Sequence, residues 1–142
     1  MSAETLREHN DLPVTIIDGI QHFNNSSLFP VLSNAQRARL AKTRLYGMSP
    51  YDQTLYIDAD TRVRSSLEAG FDALDDGWDF VVVPSSQQGE VILWHSLDEE
   101  REATLSETNP FPLQLQGGVF WFKRNDRTEA FFWEWYLSLI HI

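Results

Sequence analysis

Short apolar runs alternate with longer amphipathic stretches along this chain. Four of the apolar runs have the length and the β-branched or aromatic content of buried strands, at residues 13–17, 53–57, 79–83 and 119–122. Stretches with helical spacing separate them. Because parallel strands are joined by helical crossovers, this alternation predicts an α/β fold, with a mostly parallel sheet and helices on both faces.

Three helix starts are predicted by the capping-box pattern, a serine followed three residues later by Gln or Glu. The pairs are Ser33 with Gln36, Ser65 with Glu68, and Ser96 with Glu99. The first of these helices is expected to end near Tyr46, with Gly47 just beyond its end. Further helices are predicted at 3–9 and 128–136.

With 142 residues and 42% hydrophobic content, the chain is long enough for one domain with a packed core. Its formal net charge of −10 argues against nucleic acid and against an anionic membrane surface as partners. The absence of cysteine excludes disulfides and thiolate metal ligands. No apolar run approaches the ~20 residues of a membrane span, and the first residues lack the regions of a signal peptide. These properties predict a cytoplasmic protein with no membrane span in this segment.

Both ends of the chain favour a sequence that is part of a longer protein. The residues at 137–142, Leu-Ser-Leu-Ile-His-Ile, are the translation of CTG TCT CTT ATA CAC ATC, a transposon end used in sequencing-library adapters. An ordinary helix end is the alternative interpretation. At the other end the chain opens within a predicted helix, where an α/β domain normally begins with a strand. We therefore expect a partial domain at 1–136 and a foreign tail at 137–142.

Two aspartates follow the apolar run at 53–57, and they are the clearest candidates for chemistry. Side chains two residues apart on a strand point the same way, so Asp58 and Asp60 are expected to converge, while the small Ala59 lets the backbone come close. Two neighbouring carboxylates cost free energy unless a cation lies between them. Mg²⁺ is often held by one or two carboxylates together with phosphate oxygens, and Mn²⁺ has similar ligand preferences. The pattern therefore predicts a divalent metal that carries a phosphate ligand.

Two other motifs share this pair of aspartates. Phosphatases of the haloacid-dehalogenase type have Thr or Val two residues after the second aspartate, and this chain has Arg62 there. An EF-hand calcium loop needs Asp or Asn at 62 and Gly at 63, and Arg62 with Val63 excludes it. A phosphatase-like hydrolase that uses Asp58 as its nucleophile is kept as an alternative.

The residues around the two aspartates belong to a longer pattern. It comprises Arg-Leu-Ala-Lys-Thr at 39–43, Ser-Pro-Tyr-Asp at 49–52, Leu-Tyr-Ile-Asp-Ala-Asp-Thr at 55–61 and Gln-Leu-Gln-Gly-Gly-Val-Phe at 114–120. In order and spacing these segments resemble the centre of a GT-A-fold nucleotide-diphospho-sugar transferase, of the glycogenin-like and bacterial type. The aromatic residues at 131–135 fit the helix that follows in that family. The resemblance covers most of 12–136 and implies a Rossmann-like α/β fold.

The resemblance implies a set of donor-binding residues: Lys42, Asp58, Ala59, Asp60, Gln116, Gly117 and Gly118. In that family Asp58 would lie near the donor ribose and the metal, Asp60 would ligate the metal, and Lys42 would face the phosphates. The amide at 116 and the two glycines would border the sugar, because glycine lets the backbone approach and an amide can hydrogen-bond hydroxyls.

The chain also departs from the family. Many members have Asn-Ser or Asn-Thr where this chain has Gln116 and Gly117. The first strand, which helps hold the nucleotide base, is not visible. The downstream histidine that completes the metal site in glycogenin-like members is not reached, because His141 lies in the suspected tail.

From these observations we predict a glycosyltransferase that moves a sugar from a nucleotide-diphosphate donor to an acceptor hydroxyl, with Mn²⁺ or Mg²⁺ as cofactor. The partner is a nucleotide sugar, and the acceptor is not identified. No residue is nominated as the catalytic base. Besides the hydrolase, a non-catalytic sugar-nucleotide-binding domain is a third hypothesis.

Overall fold

The computed structural model describes residues 2–17, 34–85, 98–107 and 113–141. The helices in these ranges are α1 (Ser2–His9), α2 (Asn34–Thr43), α3 (Leu45–Met48), α4 (Glu68–Asp75), α5 (Asp98–Glu107) and α6 (Asp126–His141). The strands are β1 (Gln53–Ile57), β2 (Phe80–Pro84) and β3 (Leu115–Lys123). Strand β1 has the predicted bounds, and β2 and β3 overlap the runs predicted at 79–83 and 119–122.

The three described strands form one sheet in the order β1-β3-β2, and both outer strands are antiparallel to β3. The prediction of a mostly parallel, Rossmann-like GT-A sheet is therefore wrong for the described part of the chain. Two outer strands that each oppose β3 run parallel to each other, but the central strand between them is reversed. A continuous apolar run indicates burial on both faces and carries no information about strand direction, which explains the error.

The register of the sheet places the carboxyl ends of two strands and the amino-terminal part of the third along one edge. Ile57, the last residue of β1, pairs with Val119, and Pro84, the last of β2, pairs with Leu115. The carboxyl ends of β1 and β2 therefore lie beside the amino-terminal half of β3. This edge carries the residues from which a functional site can be built.

Alternation along β3 separates the two faces of the sheet. Phe120 and Phe122 are fully buried and pack with Leu45 of α3 and Phe132 of α6. Trp121 points to the opposite face, where it meets α4 so closely that a Cβ on Gly70 would lie 2.2 Å from its ring. The sheet is thus covered by α3 and α6 on one side and by α4 on the other.

Residues 13–17 were predicted as a strand, and the structure assigns them to neither strand nor helix. Their β-branched content is typical of a strand, but Ile16 is 80% exposed and the segment is absent from the ladders of the sheet. Only Ile17 packs against the core cluster. The propensity of these residues is therefore not matched by pairing with a neighbouring strand.

The helix ends differ from the capping predictions. The helix predicted to end near Tyr46 is divided at Arg44, and Gly47 lies inside α3. Helix α4 starts after Leu67, which makes no side-chain cap, so Ser65 does not cap it. The helix ends at Asp75, two residues before Gly77. Ser33 and Ser96 lie outside the described residues.

The end of α4 shows why a glycine stands there. Gly77 has a φ of 109°, a left-handed conformation that other residues rarely adopt. Its N–H donates to the carbonyl of Leu74 (3.2 Å), and the N–H of Trp78 donates to that of Ala73 (3.2 Å). This pair of bonds is the Schellman motif, which satisfies the last carbonyls of a helix.

Helix α6 begins at Asp126 and continues through His141, so it includes residues from the suspected tail. Helical structure there is compatible with either origin, and the foreign tail stays a prediction. In the described ranges, no helix combines the length and the apolar character needed to cross a bilayer.

Candidate functional site

The turn that follows β1 carries the two aspartates. The strand ends at Ile57, and the N–H of Thr61 donates to the carbonyl of Asp58 (3.1 Å), which closes a turn over the next residues. Strand alternation therefore does not extend to Asp60, whose side chain is exposed on the turn. Both carboxylates nevertheless lie near Tyr56, because the charge of each raises the pKa of its hydroxyl.

Lys42, near the end of α2, reaches across to the same turn. Its ammonium lies 2.9 Å from Oδ2 of Asp58 and donates to the carbonyl oxygen of Gly117 at 3.2 Å. The Lys42 and Asp58 side chains are 22% and 31% exposed, so the pair is partly shielded from water. Three segments that are distant in sequence therefore meet at this ammonium.

The backbone of β3 packs directly against the Asp58 side chain. The N–H of Asp58 donates to the carbonyl of Gly118 (2.9 Å), which extends the β1–β3 ladder by one bond. A Cβ on Gly118 would lie 3.1 Å from Oδ2 of Asp58, closer than most real Cβ contacts, whereas a Cβ on Gly117 would meet open space. Of the two glycines, only Gly118 is needed for close approach in the structure as it stands.

Tyr56 was not singled out from the sequence, although it stands on β1 only two residues before Asp58. Its hydroxyl hydrogen-bonds to Oδ1 of Asp58, and the Lys42 ammonium lies 5.5 Å from the centre of its ring. Burial is the main cause that raises the pKa of Tyr56 above its ordinary value, and the Asp58 hydrogen bond and the two carboxylate charges add to it. The hydroxyl is therefore protonated at neutral pH and acts as the donor to Asp58. Period-2 alternation was the signal that could have identified it.

The remaining candidates lie at the same edge but at its surface. Gln116 and Ala59 are both exposed, and the described contacts of Lys42 and Asp58 do not include the Gln116 amide. The structure thus brings together Lys42, Asp58 and the glycine pair, and it places Asp60, Ala59 and Gln116 around them.

A cavity of about 310 Å³ runs along β1 and adjoins this turn. It lies between the segment 12–17 and β1, its walls are mostly apolar, and Ala59 borders it. The hydroxyls of Thr15 and Tyr51 are hydrogen-bonded to each other beside it (2.8 Å). The cavity therefore opens next to the carboxylates without being lined by them.

The donor set can be compared with what a divalent cation requires. In the described ranges no three Asp, Glu or His side chains cluster as a metal cage would need. Asp58 and Asp60 offer carboxylate oxygens of the hard type that Mg²⁺ and Mn²⁺ prefer, and such ions are commonly completed by water and by substrate phosphates. The residues therefore fit a cation that is shared with a phosphorylated ligand.

No protein-family model, curated protein or solved structure matches this chain. The resemblance to nucleotide-diphospho-sugar transferases therefore stays a hypothesis, and the geometry of this edge is the basis on which a function can be proposed.

Proposed function

We propose that the chain binds a nucleotide-diphosphate sugar at the edge formed by the ends of β1 and β3 and belongs to a glycosyltransferase. The observation that carries the proposal is the meeting of Lys42, Asp58 and the Gly117–Gly118 backbone at one point. The Lys42 ammonium can bind a diphosphate, and the Asp58 carboxylate can bind the metal that accompanies it. The two glycines, which have no side chains, leave room for a sugar beside the strand. The cytoplasmic location predicted from the sequence is part of the same proposal.

An anionic ligand at this place requires positive charge from Lys42 and from a bound cation together. The chain as a whole has a net charge of −10, so a polyanion needs a local source of positive charge. Lys42 supplies one ammonium at the site, held at 22% exposure. A divalent ion on the two aspartates would supply the rest and would neutralise the charge that develops on the leaving diphosphate.

Each residue then has a defined task. Lys42 holds the donor phosphates, and Asp58 and Asp60 supply carboxylate oxygens to the shared cation. The open backbone at Gly117 and the exposed amide of Gln116 border the sugar. In the transfer, the bond from the anomeric carbon to the diphosphate oxygen breaks, a bond to the acceptor oxygen forms, and the acceptor hydroxyl gives up its proton. No described residue is assigned as the base that takes this proton.

The hydrolase alternative makes a different demand on Asp58. A nucleophilic carboxylate needs an oxygen that is free to attack, and in the structure one oxygen is paired with Lys42 and the other with the Tyr56 hydroxyl. These bonds stabilise the carboxylate and reduce its nucleophilicity, so the geometry favours a binding role for Asp58.

The test is binding of a panel of sugar nucleotides, with and without Mn²⁺, to the protein expressed from its complete natural reading frame. Calorimetry is run on the parent, on Asp60→Ala and on Asp72→Ala, an exposed aspartate of α4 that serves as the charge-matched control. We expect Mn²⁺-dependent binding of one donor, at least a tenfold loss in Asp60→Ala and no change in Asp72→Ala, since a bond to a charged group contributes about 1.5–3 kcal/mol.

Three results would contradict the proposal. Equal donor affinity in the parent and in Asp60→Ala would show that Asp60 does not hold a metal needed for donor binding. Donor binding with no sugar transfer or donor hydrolysis favours the non-catalytic binding domain. Detection of a phosphorylated Asp58 by mass spectrometry, after incubation with a phosphate ester, favours the hydrolase.

A further inference from the structure

The ring of Tyr56 is fixed by the core of the protein. Tyr56 pairs with Phe120 in the β1–β3 ladder, and the two ring centres are 4.9 Å apart. Tyr56 also packs against the buried cluster that includes Phe122 and Phe132. Its hydroxyl therefore projects from a stiff support toward the turn that follows the strand.

From this position Tyr56 contacts both charged groups of the site. The hydroxyl hydrogen-bonds to Oδ1 of Asp58, while Lys42 bonds to Oδ2 of the same carboxylate (2.9 Å). The face of the ring lies 5.5 Å from the Lys42 ammonium, a distance at which a cation is attracted by an aromatic ring. One side chain thus restrains the rotation of the carboxylate and also holds the ammonium beside it.

We propose that Tyr56 is a positioning residue of the donor site, which acts on the ligand through Asp58 and Lys42. The inference rests on the proposed function and adds a residue that neither the sequence pattern nor the resemblance assigned. Without the hydroxyl, the carboxylate can turn away from the glycine strand, and the donor must then restore its orientation on binding. Donor affinity therefore falls, since ordering a free carboxylate side chain costs free energy.

The first test is Tyr56→Phe, which removes the hydroxyl and keeps the ring on Phe120. The matched control is Tyr46→Phe: Tyr46 packs on the same core cluster, and its hydroxyl bonds to the carbonyl of Asn125 (3.3 Å), away from Asp58 and Lys42. With donor and Mn²⁺ in calorimetry, we expect about tenfold weaker binding in Tyr56→Phe and no significant change in Tyr46→Phe.

The second test separates positioning from general loosening of the core. In a double-mutant cycle of Tyr56→Phe with Lys42→Met, the two losses should not add. The Tyr56 hydroxyl acts on the ligand partly through the ammonium that Asp58 holds in place, and Lys42→Met removes that route. The cycle of Tyr46→Phe with Lys42→Met should be additive. Additivity in the first cycle, or an equal loss in Tyr46→Phe, would overturn the inference.

The two proposals fail in different ways. If the parent binds a donor and Tyr56→Phe binds it equally well, the positioning role is wrong and the proposed function stands. If the parent binds no sugar nucleotide at all, the proposed function is wrong and the inference falls with it.

Discussion

The Lys42 ammonium lies 2.9 Å from Oδ2 of Asp58, so the carboxylate expected to contact a metal is already paired with a cation of the protein. A divalent ion added without donor must compete with this ammonium. A diphosphate offers Lys42 another anionic partner, which frees Asp58 for the shared cation. Under the proposed function, Lys42 therefore opposes metal binding in the absence of donor and supports donor binding when the metal is present.

Lys42→Met should consequently have two effects of opposite sign. Binding of Mn²⁺ alone, followed by the electron paramagnetic resonance of the free ion, should become several-fold tighter. Donor affinity in calorimetry should fall roughly tenfold, because a charge-assisted bond to phosphate is lost. Lys123→Met removes the same charge at the far end of β3, beside Asp79, and controls for net charge. If the Mn²⁺ affinity and the donor affinity shift in the same direction, Lys42 does not compete with the metal for Asp58.

Gly118→Ala should weaken donor binding, and Gly117→Ala should not. A Cβ at 118 would lie 3.1 Å from Oδ2 of Asp58, whereas a Cβ at 117 meets nothing within 4 Å. The Asp58 carboxylate has to shift by a few tenths of an ångström. Displacing its torsion from the preferred angle costs about 0.5–1.5 kcal/mol, which corresponds to roughly two- to tenfold in affinity. Calorimetry on the two variants measures the difference, and equal affinities would show that the contact has no influence on the ligand.

The site could be predicted from the sequence only in part, and for different reasons at each residue. Strand β1 and its end at Ile57 followed from a short apolar run between turn residues, which is a local signal. The approach of Lys42 to Asp58 was expected only through the family resemblance, because no local rule relates the two positions. Tyr56 was accessible to the alternation rule, but the rule was applied to Asp58 and Asp60 instead. The alternation rule failed for Asp58 and Asp60, because the strand ends at Ile57 and a turn follows it.

The direction of the strands could not be predicted from the apolar pattern. Phe120, Trp121 and Phe122 are buried on both faces of the sheet, and such a run has the same appearance whichever way it points. The direction of β3 depends on how the chain returns to the gap between β1 and β2, which is a tertiary property. The same holds for residues 13–17, whose strand propensity is not satisfied by any described partner strand.

Gly70→Ala should destabilise the fold through its contact with Trp121. The new Cβ would lie 2.2–2.5 Å from three atoms of the Trp121 ring, and both residues are buried between α4 and β3. Overpacking of this kind costs about 1–3 kcal/mol, more than alanine contributes to a helix. Gly47→Ala, in α3 with no atom within 4 Å of the new Cβ, should be neutral or slightly stabilising. Urea unfolding of the two variants provides the comparison, and similar midpoints would contradict the close packing of α4 on Trp121.

Asp79 should make the stability of the fold depend on acid pH. Its carboxylate accepts hydrogen bonds from Asn125 (2.8 Å) and Arg127 (3.2 Å), and it is paired with Lys123 (3.4 Å). The Asn125 bond first, and then the two cations, hold the pKa of Asp79 below its ordinary value of 3.8. Because the folded state binds this proton less readily than the unfolded state, the stabilisation is fully present above the ordinary pKa.

The stabilisation is then lost as the pH falls through the lowered pKa of Asp79. Asp79→Asn should therefore be less stable than the parent near neutral pH, and the two unfolding midpoints should converge as the pH falls below the lowered pKa of Asp79. Asp72→Asn, an exposed change on α4, should remain close to the parent over the whole range. Urea unfolding at a series of pH values measures all three proteins. A difference between the parent and Asp79→Asn that persists unchanged into acid would show that the side chain acts through its hydrogen-bond geometry and not through its charge.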